Sequence, residues 1–154
     1  MPGLNTLHPN ASTPASSDAH FRAHGVSMFR VIPQLVVSDI QRSVAFYSET
    51  LGFRVSLEDP PGAPEFVTME RDEASVFLIS EASREDPEFI GSLRSNRRGV
   101  GVRLYIELDD AAALYAKLRG DGMAVARELT RNEAENYSEF LIDDPDGYQI
   151  GVYS

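Results

Sequence analysis

Side chains able to bind a small molecule alternate along three apolar stretches of the sequence, each typical of a β-strand. Residues two apart on a strand point to the same face, so each stretch presents its polar and aromatic groups together. Tyrosine rings stack on planar groups and cations, while amide, guanidinium and carboxylate groups supply hydrogen bonds, as small-molecule pockets require. The predicted ligand-binding residues are Gln34, Val36, Arg103, Tyr105, Glu107, Gln149 and Tyr153.

Each of these side chains also has a purely structural explanation. Tyr105 and Tyr153 could fill the interior of a barrel, and Arg103 could pair with Glu107 along one strand face. Gln34 could satisfy a buried backbone group. The prediction of a binding site therefore depends on the set as a whole rather than on any one residue.

Thiol chemistry is excluded, and imidazole groups occur only near the start of the chain. The sequence has no cysteine, so disulfides, thiolate nucleophiles and thiolate metal ligands are ruled out. All three histidines, His8, His20 and His24, lie in a segment rich in Ser, Pro and Ala, which predicts a disordered tail over residues 1–27. On a helix, His20 and His24 could bind a metal together, but solvated tail histidines are the favoured interpretation.

Length, charge and hydropathy exclude several classes of protein. A chain of 154 residues is long enough for one domain with a hydrophobic core and too short for two ordinary ones. The formal net charge of −10 argues against a nucleic-acid partner, and it indicates either simple solubility or a cleft that attracts cationic ligands. Because the sequence has no apolar run of about 20 residues and no secretory signal, we expect no membrane association and a cytoplasmic location.

The elements that would position the candidate residues occur twice. An apolar, β-branched stretch precedes Asp39, which can cap a helix, and a helical apolar stripe then runs to Gly52. The same order returns at Asp110 and Gly122. Asp39 and Asp110 are 71 residues apart, and Gly52 and Gly122 are 70 apart, which indicates a repeat of one strand–helix–three-strand unit.

The remaining apolar stretches complete the two units. Predicted strands cover residues 31–37, 53–57, 66–70, 75–80, 102–108, 123–128, 137–142 and 148–153. We therefore predict an α+β fold of two repeated βαβββ modules, at about residues 30–81 and 102–154, whose sheets form a barrel-like cavity. A basic linker over residues 82–101 would join them. The single domain would cover residues 28–154, and Met28 is a candidate translation start.

Motifs in both units resemble those of a known family. Residues 32–39 (IPQLVVSD), 43–47 (SVAFY) and 51–53 (LGF) resemble the first module of the vicinal oxygen chelate superfamily. Residues 144–147 (DPDG), followed by an alternating strand, resemble the closing hairpin of its second module. The superfamily includes glyoxalase I, extradiol dioxygenases and bleomycin resistance proteins, and the resemblance covers residues 30–154.

The resemblance implies where a metal would be bound. Enzymes of this superfamily hold a divalent metal in the cavity through His, Gln or Glu on cavity-facing strands. The matching positions in this sequence carry Ile32, about Leu78, Arg103 and Gly151. None is a metal ligand, and Arg103 would repel a cation. A shifted set of Gln34 and Glu107 supplies two oxygen donors and no imidazole, so neither a metal nor another cofactor is predicted.

Without a metal, the resemblance points to bleomycin resistance proteins, which are metal-free dimers that hold a drug in clefts between subunits. The sequence therefore predicts a metal-free small-molecule binding protein, a homodimer whose ligand could be an antibiotic. The acidic charge balance favours a cationic ligand, whereas Arg103 favours an anionic one. Two alternatives stay open: a glyoxalase-like lyase, isomerase or dioxygenase with a displaced set of metal ligands, and an accessory protein whose cavity is only a packed core.

Overall fold

Two copies of one strand–helix–three-strand unit follow each other in the computed structural model, which describes residues 30–154. The first copy consists of β1 (Gln34–Val37), α1 (Ile40–Glu49), β2 (Arg54–Asp59), β3 (Phe66–Arg71) and β4 (Ala74–Ser80). Helix α2 (Pro87–Ser95) follows. The second copy consists of β5 (Leu104–Glu107), α3 (Ala111–Gly120), β6 (Arg127–Asn132), β7 (Tyr137–Asp143) and β8 (Gln149–Tyr153). The predicted tail over residues 1–27, with its histidines, and Met28 lie outside the described residues.

Each copy folds its four strands into a sheet of its own. The strand order is β1-β4-β3-β2 in the first sheet and β5-β8-β7-β6 in the second. In both sheets the first strand lies parallel to the last, and the other neighbours are antiparallel. The predicted α+β fold of two repeated modules is confirmed, although the sheets do not close into a barrel within residues 30–154.

Aspartates begin the helix of each copy, as the sequence predicts. The side chain of Asp39 accepts a hydrogen bond from the backbone N–H of Arg42 at 3.0 Å, and Asp110 does the same for Ala113 at 2.8 Å. These bonds satisfy N–H groups that have no partner inside the first helical turn. The chain leaves α1 through Gly52, whose φ of 71° is adopted easily only by glycine.

The core lies between the helices and one face of each sheet. Alternation along the strands directs apolar side chains toward the helices, where they form one buried cluster that spans both copies. Its fully buried members include Val37, Tyr47, Leu78, Phe140 and Ile150. The opposite faces of the sheets can therefore carry polar and aromatic side chains.

The structure differs from the sequence prediction in two elements. The apolar residues predicted as a strand at 123–128 mostly form a loop packed on the core, and β6 begins only at Arg127. The predicted linker over residues 82–101 contains α2, which Asp86 caps and Pro87 begins. In the part of the chain that the structure describes, no helix is both long and apolar enough to cross a membrane.

Arg98 joins the two copies through a largely buried polar network. Its guanidinium contacts the carboxylate of Glu81, lies 3.4 Å from that of Asp146, and donates at 2.8 Å to the backbone carbonyl of Val36. The side chains of Arg98 and Asp146 are only 8% and 4% exposed. Asp146 also accepts a hydrogen bond from the backbone N–H of Ser38 at 2.9 Å. The DPDG turn of the second copy is thereby bound to the first copy.

Asp144 of the same turn reaches the buried side of α1. It accepts hydrogen bonds from the Tyr47 hydroxyl at 3.2 Å and from the backbone N–H groups of Asp146 and Tyr148 at 2.9 and 2.8 Å. Burial raises the pKa of Asp144 and that of Tyr47. Tyr148 in turn bonds the backbone N–H and carbonyl of Val36 through its hydroxyl, at 3.2 and 3.1 Å. Buried hydrogen bonds thus hold the two copies in one arrangement.

Glu81 gives this junction a specific dependence on pH. The hydrogen bond from Arg98 holds the pKa of Glu81 below its ordinary value of 4.5. A lowered pKa stabilises the native state above the pKa of an unfolded glutamate, and this stabilisation disappears as the pH falls toward the folded value. We expect the difference in unfolding free energy between the wild type and Glu81→Gln to be constant from pH 7 to about 5 and to shrink below that.

Urea unfolding at a series of pH values measures this difference. The raised pKa of Asp144 has the opposite effect, because the native state then binds the proton more tightly than the unfolded state. Asp144 is present in both proteins, so its contribution cancels. A difference that does not change with pH would contradict the role assigned to Glu81.

Candidate functional site

The predicted residues around β5 and β8 lie on the face of the second sheet that is turned away from the core. Nε of Arg103 donates to the Gln149 side-chain oxygen at 2.8 Å, and its Nη1 donates to the Tyr105 hydroxyl at 3.1 Å. The rings of Tyr105 and Tyr153 meet edge to face with their centroids 6.1 Å apart. The Tyr153 hydroxyl donates to Glu107 at 3.1 Å. These contacts connect the five residues, which we call the tyrosine row.

Glu139 is a central residue of this face that the sequence did not reveal. It is 9% exposed, lies on β7 opposite Tyr153, accepts a hydrogen bond from the Tyr105 hydroxyl at 3.2 Å and contacts the guanidinium of Arg127. A buried carboxylate needs such partners because an unpaired charge away from water is costly. The only signal in the sequence was a charged residue within the mostly apolar stretch 137–142.

Two hollows open along the tyrosine row. One has a volume of about 360 Å³ and is lined by Tyr105, Tyr137, Glu139 and Tyr153. The other has a volume of about 440 Å³ and is lined by residues 97–103, Gly147 and Gln149. Both volumes lie in the range typical of small-molecule pockets. Since Arg103 lines one hollow and bonds to Tyr105 of the other, the two hollows adjoin.

The ring of Tyr105 occupies the space beside Gly151. The two residues pair across β5 and β8. A Cβ atom at position 151 would lie 2.5 Å from Cε1 and 2.8 Å from Cδ1 of that ring, well inside van der Waals contact. Only glycine fits at this position while the ring stays where it is. Tyr105 remains 52% exposed, so the rest of the ring faces solvent and the hollow.

Gln34 and Val36, the predicted residues of the first copy, lie outside the tyrosine row. Gln34 lines a third hollow of about 290 Å³ between β1 and β5, together with Leu104 and Gln149. Val36 is 5% exposed, and its backbone is bonded to the hydroxyl of Tyr148. The structure therefore connects Gln34 with the row only through Gln149, and it gives Val36 a role in holding the two copies together.

The positions at which the family resemblance places metal ligands do not fit a divalent cation. In the first sheet Phe77 pairs with Gln34. Gln34 and Tyr105 are 71 residues apart, as Asp39 and Asp110 are, so they occupy matching positions of the repeat. Because Tyr105 pairs with Gly151 in the second sheet, the residue that matches Gly151 is Phe77. Leu78, the position predicted from the sequence, is fully buried in the core. The corrected set is Ile32, Phe77, Arg103 and Gly151, which offers no carboxylate, imidazole or thiolate. Among residues 30–154, no three Asp, Glu, His or Cys side chains are grouped to hold a metal.

Opposite charges stand at the two ends of the tyrosine row. The guanidinium of Arg103 contacts neutral acceptors, the Gln149 amide and the Tyr105 hydroxyl. Glu107 accepts the hydrogen bond from Tyr153, and this bond raises the pKa of the Tyr153 hydroxyl. Neither Arg103 nor Glu107 forms an ion pair within the described part of the chain. The ion pair between these two residues, which the sequence allowed, is therefore not formed.

The sequence matches the model of the glyoxalase/bleomycin resistance protein/dioxygenase superfamily over residues 19–152. Because this match covers most of the chain, the protein belongs to that superfamily. No curated protein matches the sequence.

Solved structures share this fold at low sequence identity. UcmS2 is 23% identical with a TM-score of 0.66, and the match covers 81% of this chain and 98% of that one. TioX from Micromonospora sp. ML1 is 14% identical with a TM-score of 0.63, covering 82% and 98% of the two chains. A lactoylglutathione lyase from Agrobacterium tumefaciens is 17% identical with a TM-score of 0.58, covering 83% and 95%. At these identities the similarity shows the fold alone.

Proposed function

We propose that this protein is a metal-free small-molecule binding protein whose ligand lies on the tyrosine row of the second sheet. The observation that carries the proposal is the ring of Tyr105 packed against Gly151. In the enzymes that this chain resembles, the position of Gly151 supplies a metal ligand. Here the side chain is absent, and an aromatic surface beside a hollow of about 360 Å³ takes its place.

The surroundings of Tyr105 suit the binding of a planar group. The half-exposed ring offers a surface for stacking, which contributes about 1 kcal/mol for an aromatic pair. The hydroxyl is held between Arg103 and Glu139, and Arg127 contacts the same oxygen of Glu139 that accepts the bond from Tyr105. A ring fixed in this way loses little conformational freedom when a ligand binds, which favours affinity.

The same features support a role like that of the bleomycin resistance proteins, in which an antibiotic with a planar group is sequestered. A thermal-shift screen tests the proposal with bleomycin and a set of planar aromatic compounds in buffer containing EDTA, and calorimetry then measures the affinity of each hit. We expect saturable binding that EDTA does not change. Binding that requires added metal, or no binding by any compound, would contradict the proposal.

We propose that two copies of the chain form the binding unit. Val55 and Leu57 on the edge strand β2 are 40% and 52% exposed, and Tyr105 on the second sheet is also 52% exposed. A second copy would cover the exposed apolar side chains of β2 and enclose the hollow beside Tyr105. Sedimentation equilibrium should give twice the chain mass of 17.0 kDa, and Leu57→Glu should reduce this to one chain. A wild-type monomer at micromolar concentrations would contradict the dimer.

Gly151→Ala should weaken ligand binding more than it destabilises the fold. The added methyl group collides with the Tyr105 ring, which can turn outward because it is half exposed. We expect about a tenfold loss of affinity for the hits of the screen and a loss of about 1 kcal/mol or less in unfolding free energy. Calorimetry and urea unfolding measure the two effects.

Gly120→Ala is the matched control for this substitution. A Cβ atom at Gly120, the last residue of α3, meets no atom within 4 Å. We expect this variant to bind ligands as the wild type does. If Gly151→Ala also binds like the wild type, the ligand does not depend on the position of the Tyr105 ring.

A further inference from the structure

We propose that the ligand is a zwitterion, with an anionic group that binds Arg103 and a cationic group that binds Glu107. A planar body would lie on Tyr105 and Tyr153 between these ends. The inference rests on the proposed binding function of the tyrosine row and adds the charge and shape of the ligand to it. It is carried by two opposite charges, neither of them in an ion pair within residues 30–154, on either side of Tyr105, whose ring meets that of Tyr153.

Arg103 is the cation that remains open to a ligand in the hollow of about 440 Å³. Its Nε and Nη1 donate to the neutral acceptors Gln149 and Tyr105, and its Nη2 donates to no residue of the described chain. The two neighbouring arginines of this hollow, Arg97 and Arg98, are instead paired with carboxylates. The planar guanidinium of Arg103 can therefore receive a carboxylate from the ligand.

Glu107 is the corresponding anion at the other end of the row. It is exposed, and the Tyr153 hydroxyl donates to one of its oxygens at 3.1 Å. The other carboxylate near the tyrosines, Glu139, is buried and contacts Arg127. Glu107 is thus the carboxylate whose charge is open to a cationic group on the ligand.

The distance between Arg103 and Glu107 sets the length of the ligand. Arg103 and Glu107 are four residues apart with Tyr105 midway between them. At about 3.3 Å per residue, their Cα atoms are about 13 Å apart in an extended chain. Tyr153 lies opposite Glu107 on β8, and its ring meets the ring of Tyr105 edge to face. A molecule with two linked aromatic rings and a charged group at each end matches this arrangement.

A zwitterion also resolves the conflict between the charge of the whole protein and that of the site. The net charge of −10 repels simple anions at long range, although Arg103 would hold an anionic group at short range. A molecule with no net charge approaches without this repulsion and can still use both ends of the row.

Four biphenyl probes that differ only in their end groups test the inference on the full-length protein. One carries a para carboxylate and a para′ aminomethyl group, one only the carboxylate, one only the aminomethyl group, and one a neutral hydroxymethyl group. Calorimetry should show the tightest binding for the zwitterionic probe. We expect each charged end to contribute about a 2- to 5-fold gain in affinity, as ion pairs at partly exposed sites do.

Single substitutions assign each gain to its residue. Arg103→Met should make the carboxylate probe bind no more tightly than the hydroxymethyl probe, whatever all four probes lose through the missing bond to Tyr105. Glu107→Gln should make the aminomethyl probe bind no more tightly than the hydroxymethyl probe, whatever all four probes lose through the altered bond to Tyr153. Arg119→Met removes an exposed arginine of α3 that lies 3.9 Å from Glu128, and it should leave all four affinities unchanged.

The outcomes separate this inference from the proposed function. Equal affinities for the four probes would overturn the zwitterion and leave the proposed function intact, because the tyrosine row would still bind the biphenyl. Tighter binding of a singly charged probe, or no binding of any probe, would also overturn the zwitterion. In the latter case the independent screen of planar compounds decides whether the protein binds small molecules at all.

Discussion

Replacing Arg98 with methionine will lower the unfolding free energy by about 3 kcal/mol or more. Methionine retains much of the apolar volume but leaves the carboxylates of Glu81 and Asp146 without the guanidinium, and the Asp146 side chain is only 4% exposed. The substitution also removes the donor to the carbonyl of Val36 in β1. We expect the melting temperature to fall by on the order of 10 °C. Urea unfolding followed by circular dichroism measures the loss.

Arg94→Met is the control for Arg98→Met. Arg94 is bonded to the same Glu81, at 3.1 Å, but its side chain is 66% exposed. An exposed ion pair contributes about 1 kcal/mol at most, so Arg94→Met should change the unfolding free energy by less than that. Equal losses in the two variants would show that burial of Arg98 between the two copies does not stabilise the fold.

Replacing Tyr105 with alanine will weaken binding of the tightest biphenyl probe by about 30-fold or more, equivalent to about 2 kcal/mol. The substitution removes the stacking surface and also the hydroxyl that connects Arg103 to Glu139. Because Tyr105 is 52% exposed, we expect the unfolding free energy to change by less than about 1 kcal/mol. Calorimetry with the probe and urea unfolding of the variant measure the two quantities.

Two conservative substitutions separate the ring of Tyr105 from its hydroxyl. Tyr105→Phe keeps the stacking surface, so it should lose only about 3- to 10-fold in affinity, as expected for one hydrogen bond. Tyr115→Phe removes a hydroxyl that is bonded to Glu128 and lies outside the tyrosine row, so binding should not change. If Tyr105→Ala binds the probe as tightly as the wild type, the ligand does not lie on this face of the sheet.

The fold could be predicted from the sequence because local signals mark both copies of the repeat. Asp39 and Asp110 cap their helices as expected. Gly52 has the positive φ expected of the residue that follows the end of α1. The predicted strand at 123–128 was wrong over residues 123–126, because Met123 and Val125 pack on the core in a loop before β6 begins. Closure of the sheets into a barrel was also expected, but strand periodicity does not determine whether two sheets meet.

The candidate site could be predicted only in part. Alternation along one strand predicted that Arg103, Tyr105 and Glu107 share one face. In the structure these three residues contact Gln149 and Tyr153 of β8. Glu139 was missed because its partners Tyr105 and Arg127 lie on β5 and β6, and alternation along β7 alone does not indicate these contacts. The reason for glycine at position 151 could not be predicted either, because glycine adds no side chain to the alternating pattern of β8. Only the structure shows that the Tyr105 ring packs against it.

The DPDG turn illustrates how one motif can serve two purposes. The sequence marks it as the turn between β7 and β8. In the structure Asp144 and Asp146 also bind Tyr47 and Ser38 of the first copy, which are 97 and 108 positions away. Asp146 also contacts Arg98 of the segment between the copies. These contacts join residues far apart in the sequence, so nothing in the local sequence could indicate them.

The most direct test of metal-free binding is the metal content of the full chain with His8, His20 and His24 replaced by glutamine. This protein is purified without chelators, incubated with Zn²⁺, Ni²⁺, Mn²⁺ or Fe²⁺, desalted and examined by elemental analysis, and the affinity for the biphenyl probes is measured with and without EDTA. We expect far less than one metal ion per chain and the same affinities in both buffers. Retention of one metal ion per chain, together with binding that EDTA abolishes, would contradict a metal-free site.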